Sequence, residues 1–163
     1  MALIVEDGSL VVGAESYATI AFADQWHANR GNDAWDNVDA KDVALRKATD
    51  YMVGRYRDRW AGVRKTVTQL LDWPRDLVPV TDGPNNFTVY YLNSIVPIGV
   101  QIACVSLALR STTEDLVADL VQGKLSVSIG PITTVYDKFS SRQNEYPEID
   151  RWLRPYLKDS GVL

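Results

Sequence analysis

Pro97-Ile98-Gly99-Val100-Gln101-Ile102-Ala103-Cys104-Val105-Ser106-Leu107-Ala108-Leu109-Arg110 is the stretch whose reading decides the fold. A proline is tolerated in the first turn of a helix, where its missing N–H would have had no partner. Apolar residues then recur all round the helical wheel instead of on one stripe, which predicts a buried central helix ending near Arg110. The wider apolar run, Ile95 to Leu109, is interrupted by Pro97, Gln101 and Ser106 and is too short to span a bilayer. Cys104, the one cysteine, lies inside this run. A single cysteine excludes an internal disulfide and a Cys-based zinc site, and its apolar setting predicts a buried, inert thiol.

Working outward, the other elements arrange themselves round that helix. Thr19 is placed to cap a helix from Ile20 to about Arg30, stopped by Gly31-Asn32. Asp39 followed by Asp42 marks a second start, and Ala44, Leu45, Ala48, Tyr51 and Met52 keep helical spacing to about Arg57. Short helices are expected over Val67–Leu71 and Glu114–Gln122, and Pro147 with Glu148 and Asp150 opens a last one to about Lys158. Leu77 to Asn93 reads as loop from Pro79, Asp82-Gly83-Pro84 and Asn85-Asn86. Alternation in Leu125–Ile129 and Ile132–Tyr136 around Gly130-Pro131 predicts a β-hairpin over 124–136. The expected fold is mainly α: one domain, 1–163, built as a compact bundle of about five helices. An extended N-terminal arm (1–15), the hairpin, and a C-terminal helix with its tail (147–163) complete it.

At 163 residues, with 46% apolar and 23% charged residues, the chain suits one globular domain with its own core. Met1 to Asp7 lacks a basic region and an apolar stretch, so no signal peptide is expected. Catalysis is hard to assemble. The sole histidine, His27, falls beside Ile20 and Ala23 on the wheel and reads as a satisfied, partly buried side chain. Asp24 three residues earlier makes at most a weak metal pair. No Gly-x-Ser-x-Gly elbow, phosphate loop or dinucleotide fingerprint occurs. Asp33, Asp36, Asp39 and Asp42 cluster at a helix start, where carboxylates are favoured anyway. No catalytic residue, metal or cofactor is expected, and the chain does not read as an enzyme.

Charge is distributed unevenly. Arg46 to Arg75 holds eight of the 17 Lys and Arg and three of the 21 Asp and Glu, a net +5 against −9 for the remainder. Such a segment faces something negative, either nucleic acid or the acidic surface of another copy. On the wheel its cations do not gather into one outward stripe of the kind a DNA-reading helix presents. Arg55 falls on the core side, as a semi-buried arginine forking to a carboxylate would. Trp60 and Trp73, beside Gly62 and Pro74, read as packing anchors at turns.

Ser16-Tyr17-Ala18-Thr19, Arg30-Gly31-Asn32 with Trp35, Lys47-Ala48-Thr49-Asp50-Tyr51, Arg55-Tyr56, Arg59-Trp60-Ala61-Gly62, Trp73-Pro74-Arg75 and Gly130-Pro131-Ile132 together resemble a group of tailed-bacteriophage proteins. These are often labelled DnaT-like single-stranded DNA-binding proteins, and they look like head–tail connector adaptors, also called head-completion proteins. The resemblance runs over nearly the whole chain and implies a mainly helical subunit forming a ring of about twelve copies under the portal. It implies portal and tail (stopper or tail-terminator) proteins as partners, and genome DNA passing without specific binding. Localisation would be the virion neck after assembly in the host cytoplasm, with no membrane. Portal docking is then expected at Tyr156, Leu157, Val162 and Leu163, and inter-subunit contact at Arg57, Arg64 and Lys65. The alternative is a single-stranded DNA-binding accessory protein of phage replication. Two features depart from the family pattern: a long Val80–Asn93 loop, and Phe22 in place of a polar residue, which suggests packing against the N-terminal arm.

Overall fold

The computed structural model describes residues 2–83, 88–117, 126–129, 132–135 and 146–158. Among them are four α-helices: α1 (Ile20–Ala28), α2 (Lys41–Tyr56), α3 (Ile98–Arg110) and α4 (Pro147–Leu153). The decisive segment is α3, whose N-cap is Pro97, and nine of its 13 residues are buried. It touches each of the other three helices. Helices α2 and α3 run antiparallel, with Ser111 beside Ala44 and Cys104 beside Thr49.

Helix ends follow local chemistry. Thr19 Oγ1 accepts from Phe22 N at 3.0 Å, so α1 starts where expected. Helix α2 begins one step later than Asp39 suggested: its N-cap is Ala40, with no side-chain cap, and Asp42 instead pairs with Arg46 one turn on at 2.6 Å. Helix α4 stops at Leu153 rather than near Lys158. Pro155 lacks the N–H that an α-helix needs and clashes with the preceding turn, so Arg154–Tyr156 close as a 3₁₀ turn.

Two of the expected helices are missing from the described residues. Val67–Leu71 is irregular. Thr66 N donates to Gln69 Oε1 and Gln69 N to Thr66 Oγ1, the reciprocal pattern of a capping box. The helix that such a box would begin does not follow, because Gln69 Nε2 is held by the carbonyls of Leu71 and Pro74. Glu114 to Val117 is turn, and 118–122 lie outside the described residues. Among the described residues there are four α-helices, gathered on α3, and a mainly α subunit with a hairpin is what they make.

Apart from these helices and 3₁₀ turns at Asp33–Trp35 and Arg154–Tyr156, the described residues are strand and loop. Strands β1 (Val63–Arg64) and β2 (Arg75–Asp76) pair antiparallel, as do β3 (Ser126–Ile129) and β4 (Ile132–Val135) in the expected hairpin, with Ser126 opposite Val135. The Gly130-Pro131 turn lies outside the described residues. The N-terminal arm is not extended. Glu6 N donates to Ser16 O and Glu15 N to Ile4 O, and Val5 pairs parallel with Ser16. The loop this closes is organised round the buried Glu6 carboxylate, which accepts from Gly8 N, Leu10 N and Val11 N at 2.8 to 3.0 Å. Gly8 has a φ of 108°, and a Cβ there would run into the backbone of Ser94 and Ile95, so only glycine lets the arm lie down. The loop beyond Leu77 carries a short ladder through Val80 N to Val89 O and Tyr91 N to Val78 O. Phe22 stacks on Trp26 at 6.4 Å, so its partner is its own helix and not the arm.

Candidate functional site

Every aromatic in the basic segment is buried. Tyr51, Tyr56, Trp60 and Trp73 are all at most 7% exposed. From Tyr56 a line of rings runs through Trp60, Trp73 and Tyr156 to Tyr91, with successive centroids 5.9, 5.8, 5.7 and 5.0 Å apart. It ties the C-terminal end of α2 to the non-helical half, in the tilted and edge-on arrangements that aromatic pairs favour. None of the four rings within the basic segment is left free to stack on a nucleic-acid base.

At the centre stands Asp72, fully buried. Its Oδ2 accepts from Trp60 Nε1 at 3.1 Å, and its Oδ1 faces Arg57 Nε at 3.0 Å as an ion pair without a well-aligned hydrogen bond. Its backbone N–H donates to the Tyr17 hydroxyl. Burial pushes the Asp72 carboxyl up from its ordinary value, and Arg57, Trp60, Arg75 and Arg64 work against that rise. Arg75, also buried, donates to the carbonyls of Ala61, Asp72 and Gly62. Arg55 is half-buried, the semi-buried setting expected of it. The fully buried arginine of the segment is Arg75, which the sequence did not single out.

The other cations of the segment are largely engaged as well. Arg46 pairs with Glu15 and Asp42, while Arg59 lies over the Tyr56 ring and 3.8 Å from Asp150. Of the expected inter-subunit residues, Arg57 is taken up by Asp72 and Leu70 O. Arg64 and Lys65 each end on a backbone carbonyl, of Gln69 and Asn93, and among the described residues neither forms an ion pair within 4.0 Å. Tyr156, expected to dock on portal, is 6% exposed in the subunit, packed on Trp73 and Tyr91, and its carbonyl accepts from Ala61 N. Leu157 is half-buried and paired with Trp60, and Lys158 N donates to Arg59 O. Val162 and Leu163 lie outside the described residues.

The groups with catalytic potential are structurally satisfied. His27 is buried; its Nε2 lies 3.1 Å from Val105 O and its Nδ1 3.1 Å from Asn32 Nδ2. That pattern makes Nε2 the donor and Nδ1 the acceptor, and burial lowers its pKa from the ordinary value. Asp24 accepts from Trp35 Nε1 and Lys41 Nζ, both at 2.8 Å, so it is not paired with His27 for a metal. Burial raises the Cys104 thiol, which sits 3.4 Å from Thr49 Oγ1. Among the described residues no group of three or more His, Cys, Asp and Glu is placed to hold a metal ion. None of the described helices is long and apolar enough to cross a membrane.

The described surface has a polar pocket of about 600 Å³ lined by Lys47, Asp50, Thr112 and Glu114, and an apolar region elsewhere. Among the described residues, ten of the 14 exposed large apolar side chains fall in the non-helical stretches 2–16, 60–78 and 88–97. Val12 is 93% and Val67 89% exposed. These stretches are stitched together by Gly8 against Ser94, by Lys65 to Asn93 O, and by Asn93 Nδ2 to Asp76. A groove of about 440 Å³ runs between the N-terminal loop and residues 66–71, lined by Leu10, Val12, Thr68 and Leu70. Its polar contribution includes Glu6, already saturated by three backbone N–H groups.

No curated protein and no solved structure matches the chain. A family model does, over residues 1–163, and the chain belongs to that family, described as "Putative DnaT-like ssDNA binding protein".

Proposed function

We propose that this chain is a structural subunit that assembles with copies of itself into a ring, an adaptor joining phage portal to tail and continuing the DNA channel. The observation that carries this reading is the concentration of exposed apolar side chains on the non-helical half. A face of that kind marks a protein–protein contact. The ring is taken as about twelve copies with cyclic symmetry. Portal is met through the tail residues Val162 and Leu163, since Tyr156 and Leu157 are used within the subunit. Genome DNA passes unbound, in keeping with the net charge of −4.

The family description favours a second reading, a single-stranded DNA-binding accessory protein. Against it stands the burial of the basic segment's aromatics, since sequence-tolerant strand binding relies on exposed rings along a cationic groove. One comparison separates the two. Purified protein mixed with portal should give rings in negative stain, and should not retard single-stranded oligonucleotides at physiological salt. Tight retardation that weakens steeply with salt, with no ring on portal, would overturn the adaptor reading.

A further inference from the structure

Helix α2, with its 16 residues, holds two surfaces about 24 Å apart. At its N-terminal end the turn 33–39 exposes Asp33, Asp36 and Asp39, none of which has a cation partner among the described residues. The nearby cations are already engaged, Lys41 with Asp24 and Arg30 over the Trp26 ring. The turn is anchored by Trp35, fully buried with its ring 4.8 Å from His27, so its carboxylates are displayed from a fixed base. At the other end, past Tyr56, lies the apolar groove with the exposed Val67 and Leu70 on its side. Arg64 and Lys65 stand there with backbone carbonyls as their hydrogen-bond acceptors, and Arg64 also acts on the Asp72 carboxylate, which Arg57 already pairs.

Resting on the assembly reading, we infer that the acidic turn 33–39 of one copy seats on the groove side of the next copy, against Arg64, Lys65, Val67 and Leu70. Charge complementarity selects a second copy as occupant. The +5 segment and the −9 remainder belong to the same chain. One carboxylate, Asp72, is shared by Arg57, Arg64 and Arg75, so positive charge is left over at that end, and the acidic turn lies at the other end of one rigid helix, where the two cannot meet within a subunit. A nucleic acid fits less well, because the groove offers aliphatic rather than aromatic side chains beside its cations. A contact between two different patches is heterologous, and such contacts repeat head to tail and close into rings when the rotation allows. Burying Val67 and Leu70 supplies attraction, and the exposed ion pairs supply register and orientation.

Placing a photo-crosslinking benzoylphenylalanine at Val67, in a mixture of ordinary and ¹⁵N-labelled protein assembled on portal, tests the contact. The result expected is inter-copy cross-links into residues 33–43. Rings with cross-links confined to other regions would overturn this contact while leaving the assembly reading standing. No ring and no inter-copy cross-link would remove both, and cross-linking to an added oligonucleotide instead would assign the groove to nucleic acid. Two variants sharpen the result: D36N/D39N and R64Q/K65Q alter exposed or half-exposed side chains and should stay folded. Each alone should weaken self-association about tenfold at low ionic strength. An equimolar mixture should stop at pairs, since each pair has one intact contact and two neutralised ends. Unchanged association in both variants would sink the proposal.

Discussion

The helical and non-helical halves of this subunit solve the same burial problem with different materials. Around α3 the core is aliphatic and small: Leu45, Ala48, Met52, Val100, Ala103 and Leu107 are essentially inaccessible. The backbone there satisfies itself within helices, so apolar packing suffices. Among the described residues the non-helical half has only short ladders, the two residue pairs of β1–β2 and a few isolated bridges. Its backbone groups are met by buried polar side chains instead, with Glu6 serving three N–H groups and Arg75 three carbonyls. Large rings fill the space between. The lesson is that irregular backbone can be buried when each stretch is given its own polar side chain. The same half also exposes most of the free apolar surface, so its rigidity serves what it displays.

The strongest way to break the comparison is to remove the ring that joins the halves. Trp60 is fully buried, bonded to Asp72 and packed between Tyr56 and Trp73. Trp60→Ala should cost about 3–5 kcal/mol, as large-to-small core substitutions of aromatics do. Urea denaturation followed by far-UV circular dichroism measures it. A loss below about 1 kcal/mol would mean that the non-helical half contributes little to global stability.

A smaller loss is expected from the polar side of that junction. Arg57→Ala strips the buried Asp72 of its ion-pair partner, leaving Trp60 Nε1 as its one hydrogen bond. An under-satisfied buried acceptor of this kind costs about 1–3 kcal/mol. Adding Asp72→Asn should recover part of the loss, because the charge that needed Arg57 is gone. A double-mutant cycle in which the two effects simply add would show that the pair does not couple the halves.

The halves should also respond to acid with opposite signs. His27, on the helical side, has its pKa lowered by burial from about 6.5, so below that pH the unfolded chain binds a proton that the folded chain resists. Its contribution is present above 6.5 and is lost as pH falls through the depressed folded value. Asp72, on the other side, has its carboxyl raised above 3.8, so the folded chain takes the proton first and gains stability as pH falls through that window. His27→Gln should therefore flatten the loss of stability just below pH 6.5 in a pH series of denaturation midpoints. An unchanged slope there would assign the effect to other groups.

How much of this was legible depends on whether burial was written locally. Apolar spacing placed α2 and α3, because a helix buries residues at fixed offsets along its own sequence. Thr19, Pro97 and Pro147 marked starts for the same reason, each acting within one turn. Trp60 and Trp73 were readable as anchors, since rings that size beside Gly62 and Pro74 have to pack somewhere. Asp72, Glu6 and Arg75 were not readable. A buried charge looks like any surface charge until its partner is known, and Arg75 finds Ala61 and Gly62 across 13 or 14 residues of irregular chain. The burial of Tyr156 was not legible for a related reason: its partners, Trp73 and Tyr91, lie more than sixty residues away in sequence.

The smallest expected effect is the most telling about display. Val67 is 89% exposed and Leu70 62%, so neither holds the free subunit together. Val67→Ser with Leu70→Ser should leave stability within about 0.5 kcal/mol of the parent, the range of ordinary surface substitutions. Both positions are irregular backbone, so neither change removes a helix or strand former from its element. Leu70 O still receives its bond from Arg57, because the backbone is untouched. Val78→Ala is the contrast within the same half: Val78 is fully buried, and deleting two of its methyl groups should cost more than both serines together. Denaturation midpoints of the two variants, measured side by side, give the answer. If the double serine variant loses more than about 1 kcal/mol, those side chains are covered in the free subunit and the face is not on display. If it keeps its stability yet no longer forms rings with portal, then the apolar residues of this half are there for the neighbour.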